Sequence, residues 1–137
     1  MIRNTAVTVC GPLNVNKLGV TYVHEHLMVK PQLPDEYYIP YTLDDEAAST
    51  EETRSFSAAG GETLVEMTPI NYGRNVKAYQ RIAQATGVHV ICCTGFHKQL
   101  FMPPWFGDKT DGELYDILMD EVTNGLDGTE IHPGVIK

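Results

Sequence analysis

The chain has 137 residues, 42% of them hydrophobic and 20% charged, which suits one hydrophobic core of ordinary size and excludes a disordered chain. Ten basic against eighteen acidic residues leave a formal charge of −8, and no Lys/Arg cluster offsets it, so nucleic acid and anionic membranes are excluded as expected partners. No apolar run approaches the ~20 residues needed to cross a bilayer. The N-terminus, Met1-Ile2-Arg3-Asn4-Thr5, lacks the apolar stretch of an export signal, which favours the cytoplasm.

In chain order, the β-branched and aromatic residues 19–23 (Gly-Val-Thr-Tyr-Val) predict a first strand ending in His24-Glu25-His26. Residues 44–59 suit a helix, with Thr42 as N-cap, acidic residues in its first turn and Gly60-Gly61 as its stop. Residues 63–67 (Thr-Leu-Val-Glu-Met) read as a second strand. Val76, Tyr79, Ile82 and Ala83 fall at helical spacing, and Gly87 stands where a helix-ending glycine belongs. Residues 88–93 form a third strand, closed by Gly95 and followed by an aromatic, proline-containing loop over 96–107. Thr110-Asp111-Gly112-Glu113 has the form of a capping box and opens a third helix through Leu114, Ile117, Leu118, Glu121 and Val122. Gly134-Val135-Ile136-Lys137 begins a fourth strand.

Mostly continuous apolar strands alternating with helices make an α/β fold with a parallel sheet covered by helices. A barrel of eight such units takes about 250 residues. The chain is therefore expected to be the first half of a (β/α)8 TIM barrel, one domain over 1–137, truncated at its fourth strand. Cys10, Cys92 and Cys93 are an odd number without CxxC spacing, which argues against disulfides or a zinc knuckle. Cys92 and Cys93 are expected to be small buried hydrophobes on opposite faces of a strand, in a reducing compartment.

His24-Glu25-His26 carries the sharpest chemical signal. Residues two apart on a strand share a face, so both imidazoles can converge on one cation while Glu25 points to the helical layer. By the same alternation, Val20 and Tyr22 are expected to line the barrel interior beneath them. In a parallel barrel the C-terminal strand ends form the active face, where these histidines lie. A lone His-x-His also fits two satisfied, half-buried histidines. Lys137 closes its strand at the same face. It fits a snorkelling lysine, but also an amine made neutral near pH 7 by burial and neighbouring cations. Such an amine can form a Schiff base, or take up carbon dioxide to become a carbamate able to bridge two cations. His97, after Gly95-Phe96, is a candidate for the pocket lining, and Trp105 in the apolar loop is another. His89 is read as structural and His132 as solvated.

Residues 18–27 (Leu-Gly-Val-Thr-Tyr-Val-His-Glu-His-Leu) resemble the signature of the phosphotriesterase-like family of the amidohydrolase superfamily. The likeness runs on through 61–68 (Gly-Glu-Thr-Leu-Val-Glu-Met-Thr), 73–75 (Gly-Arg-Asn), 86–91 (Thr-Gly-Val-His-Val-Ile), 94–96 (Thr-Gly-Phe) and 134–137. It implies a binuclear metal-dependent hydrolase that activates water to cleave a lactone, carboxylic ester or phosphotriester, as a homodimer in many relatives. It also implies that His24 and His26 hold one metal, zinc in the common case, and that a carboxylated Lys137 bridges two. The family's other ligands, two histidines and an aspartate on later strands, fall outside this sequence, and His89, His97 and His132 do not replace them. Asn75 stands where relatives often have aspartate, so a local salt bridge to Arg74 is expected to be lost. Glu66, in place of a commoner aspartate, is a candidate to orient a metal-binding histidine. Two other readings stay open: a Schiff-base lyase using Lys137, and an inactive barrel fragment that folds poorly because its sheet edges are exposed.

Overall fold

A computed structural model describes residues 4–31 and 42–137; Met1–Arg3, read above for an export signal, lie outside them. Two short strands open the chain, β1 (Thr5–Thr8) and β2 (Gly11–Asn14), paired antiparallel. The sequence reading placed no element here. The hairpin closes the lower end of the main sheet, because the Val9 N–H donates to the Val90 carbonyl at 2.8 Å and Gln80 Nε2 donates to the Val9 carbonyl at 2.9 Å.

Four strands then run parallel in chain order: β3 (Thr21–Glu25), β4 (Thr63–Glu66), β5 (His89–Thr94) and β6 (Val135–Ile136). Helices α1 (Glu46–Ala58), α2 (Val76–Thr86) and α3 (Asp111–Asn124) connect them in turn. Sequential parallel neighbours joined by helices are the repeating βα unit of a barrel wall. The expected strands and helices are all found, with shifted ends. Helix α1 begins later than expected, and its N-cap is Asp45, whose side chain accepts from the Ala48 N–H at 3.0 Å, rather than Thr42. The capping box of Thr110 and Glu113 is formed, and Gly87 closes α2 in the left-handed region.

The core lies between the sheet and its helices. Leu64, Val90 and Cys92 from the strands meet Val76, Ala78, Tyr79, Ile82 and Ala83 from α2. The helical spacing of those α2 residues is what brings one apolar face onto the sheet. Cys92 and Cys93 are both buried, as expected. No helix among the described residues is long and apolar enough to cross a membrane.

Strict alternation fails at one place, and it is next to the histidines. Tyr22 pairs with Leu64 and Glu25 with Glu66, so three steps on β3 oppose two on β4. The extra residue is a bulge, and it reverses the faces of the residues before it relative to those after it. Tyr22 is accordingly not in the barrel interior: its ring stacks on Phe56 of α1 at 6.4 Å. Glu25 does reach the helical side, beside Ser49, Glu52 and Phe56.

Candidate metal centre

His24 and His26 stand together at the end of β3, with ring centroids 5.3 Å apart in an edge-on arrangement. His26 is held from behind. Its Nδ1 lies 2.8 Å from Thr68 Oγ1 and 3.9 Å from Glu66 Oε1. Glu66 is fully buried, and it accepts from the Thr68 N–H at 2.7 Å and the Leu27 N–H at 3.2 Å. Burial raises its carboxyl to about 7, against the lowering effect of side-chain hydrogen bonds from Thr68 and Tyr79. A ring protonated on Nδ1 donates to Thr68 Oγ1 and keeps a lone pair on Nε2. Burial, with the charges of Lys137, His24 and His97, lowers the His26 ring to about 4, so it is neutral near pH 7.

Lys137 ends β6 with its N–H on the Thr94 carbonyl at 2.9 Å. Its side chain crosses the end of β5, and Nζ donates to the Met67 carbonyl at 2.7 Å. Its amine is lowered from the ordinary lysine value, mainly by burial, with Cys93 and Glu66 acting in the opposite direction. Lysine and imidazoles therefore share the C-terminal mouth of the sheet, near enough for the Lys137 charge to weigh on both His26 and His97.

An aromatic wall borders this mouth. Tyr72 lies edge-on to His26 at 5.7 Å, against His97 at 4.4 Å and against Phe101 at 4.7 Å. Asn71 ties the wall together, accepting from the His97 N–H at 2.7 Å and donating to the Phe101 carbonyl at 3.0 Å. His97 thus stands beside the histidine pair. Trp105 packs with Phe96 at 6.1 Å and Phe106 at 6.3 Å. His89 sits at the opposite, N-terminal end of β5. His132 is half-buried, with Nδ1 3.1 Å from the Val122 carbonyl in an exposed contact. Asn75 caps α2 through the Ala78 N–H, and Arg74 does not lose its ion pair; it takes Glu121 and Asp127 instead.

Thr68, Asn71 and Tyr72 are not among the candidates that the sequence marks. Their only signal is position, in the turn that follows a strand end at the active face. Because losing the outer partner of a metal-binding histidine typically costs about 10–100-fold in metal affinity, Thr68→Val is expected to weaken cation binding by that factor without loss of fold. Competition against a chelating dye would measure it, and unchanged affinity would remove Thr68 from this role.

The donor set fits part of a divalent-cation centre: two imidazoles at one mouth, one with its orienting partner in place, and an amine of weakened proton affinity. Among the described residues no group of three or more His, Cys, Asp or Glu side chains gathers as a cation site. The pattern of the phosphotriesterase family matches residues 4–137.

The chain belongs to the phosphotriesterase family.

A phospho-furanose lactonase of Mycoplasmopsis synoviae is 33% identical over 143 residues, which are 100% of this chain and 40% of that relative. An N-acetyltaurine hydrolase of Danio rerio is 31% identical over 164 residues, covering 98% of this chain and 47% of its own length. The crystal structure of a lactonase from Listeria monocytogenes superposes with a TM-score of 0.89 at 28% identity, over 96% of this chain and 46% of that one. The sheet is therefore a half-barrel of the phosphotriesterase (β/α)8 fold. The chain spans less than half the length of these relatives.

Proposed function

We propose that these residues supply the first half of the barrel of a metal-dependent hydrolase, and that His24, His26 and a carboxylated Lys137 hold two divalent cations, most simply zinc. The observation that carries this reading is the meeting of His24, His26 and the Lys137 side chain at the C-terminal mouth of one parallel sheet. When bound, two such cations supply an activated water and polarise the substrate's C=O or P=O oxygen.

The chain's own residues prepare for that chemistry. Thr68, backed by Glu66, holds the orientation of the His26 ring. The amine of Lys137, once neutral, adds to carbon dioxide and releases a proton, giving a carbamate with two oxygens and one negative charge. Tyr72, His97 and Phe101 present an apolar wall that excludes water from one side of the mouth. A lactone or other carboxylic ester is the preferred substrate class, supported by the two lactonases among the relatives; phosphotriesters fit the same apparatus. The N-acetyltaurine hydrolase makes amides the necessary comparison. A Schiff-base lyase would also use Lys137, but it leaves the paired, oriented histidines without a task.

The test is hydrolysis by the full-length protein of γ- and δ-lactones, a dialkyl aryl phosphotriester and an N-acyl amide, before and after chelation. Lactone turnover should vanish with the metal and return with zinc, and Lys137→Ala should not recover it. Undiminished turnover after complete chelation, or trapping of a lysine adduct by borohydride, would overturn the proposal.

A further inference from the structure

Arg74, in the turn before α2, has a side chain only 1% exposed, and every N–H of its guanidinium is used. Nε and Nη2 grip Asp127 at 3.0 and 2.5 Å, and Nη1 and Nη2 grip Glu121 at 3.1 and 2.6 Å. The second Nη1 proton goes to the Cys93 carbonyl at 3.2 Å. Burial opposes the charge of Arg74, but its bonds to Asp127 and Glu121 outweigh that and raise its proton affinity. Planar two-pronged pairing of this kind fixes geometry as well as charge.

The network reaches the active face through one residue. Thr94, fully buried at the end of β5, donates its hydroxyl to Glu121 Oε2 at 2.5 Å. The carbonyl of the same Thr94 accepts the N–H of Lys137 at 2.9 Å. Helix α3 buries no side chain completely, and the bonds of Glu121 tie it to the strand end. Gly95 and His97 follow directly.

We propose that Arg74, Glu121 and Thr94 are positioning residues for the reaction, holding the end of β5 so that the Lys137 backbone, and with it the amine, is set at the mouth. Its consequence for turnover rests on the hydrolase reading above; its consequence for Lys137 does not.

Thr94→Val removes the hydroxyl and keeps the shape, leaving Glu121 still paired with Arg74, whereas Thr94→Ser keeps the hydroxyl. In the metal-loaded full-length protein, Thr94→Val should lower kcat for the lactone by about 10–100-fold with KM within about twofold, by analogy with lost outer-shell partners. Amide hydrogen exchange at Lys137 in the metal-free protein should quicken by about tenfold or more, while the melting temperature stays close to that of the parent. Thr94→Ser should resemble the parent in every readout. Parent-like kcat and exchange in Thr94→Val would overturn the proposal, as would equal losses in both variants that track the melting temperature. If the parent protein neither binds a cation nor turns over a lactone, the hydrolase reading fails by itself. Exchange at Lys137 then decides the positioning role alone: faster in Thr94→Val upholds it, unchanged removes it.

Discussion

Alanine at either His24 or His26 is expected to lower the affinity for a first divalent cation by more than about 100-fold. The reasoning is a lower bound: losing only an outer partner of a ligating histidine costs about 10–100-fold, and a ligand removed outright must cost more. The rings flank Glu25, whose backbone pairs with Glu66 of β4, so neither substitution should unfold the sheet. His89→Ala is the control, because His89 lies at the other end of β5. Zinc titration of the three variants by calorimetry would separate them. Full stoichiometry and parent-like affinity in both His24→Ala and His26→Ala would end their assignment as ligands.

Gly95→Ala is expected to damage the fold out of proportion to its size. Gly95 has φ +118°, and a Cβ there would lie 2.2 Å from the Lys137 carbonyl oxygen and 3.0 Å from the Lys137 nitrogen. Backbone atoms of a paired strand cannot swing aside as a flexible side chain can. Gly87 makes the comparison clean, since its φ is +77° but a Cβ there meets nothing within 4 Å. Gly87→Ala should therefore cost only the left-handed strain, about 1–2 kcal/mol. Gly95→Ala should cost at least about 3 kcal/mol, combining strain with a clash, and should displace Lys137. Urea denaturation of the two variants tests this, and equal losses would show that the close approach of Gly95 to Lys137 is not a constraint.

Much of this fold was legible because its elements are locally consistent. The strands at 63–66 and 89–94 are built around Leu64-Val65 and the apolar run Val90 to Cys93, Val76, Tyr79, Ile82 and Ala83 keep one helical face, and Thr110 with Glu113 writes its own cap. Local agreement of pattern and propensity is what lets a sequence be read this way. The bulge in β3 was not legible, since counting by twos assumes that no residue is extra, and Tyr22 was therefore assigned to the wrong face. The hairpin before the sheet was also missed; its two strands are only four residues each, and Pro12 falls within the second.

In the candidate site, the histidine pair and Lys137 were readable from their places at strand ends and from family resemblance. The residues that orient them were not. Thr68 ends the resembling stretch 61–68 without a role of its own there, and its meaning appears only when His26, 42 positions earlier in the chain, comes within 2.8 Å. Arg74 finds Glu121 and Asp127 at 47 and 53 residues' separation, so the local substitution of Asn75 said nothing about its true partners. Asn75 was free to serve as a helix cap instead.

The most direct test is an anomalous difference map, measured at the zinc edge, from crystals of the full-length, metal-loaded protein. The account predicts density about 2.0–2.2 Å from a ring nitrogen of both His24 and His26, with the Lys137 side chain extended as a carbamate to that ion and a second one. Zinc density elsewhere in the barrel, with the Lys137 amine still resting on the Met67 carbonyl, would contradict it.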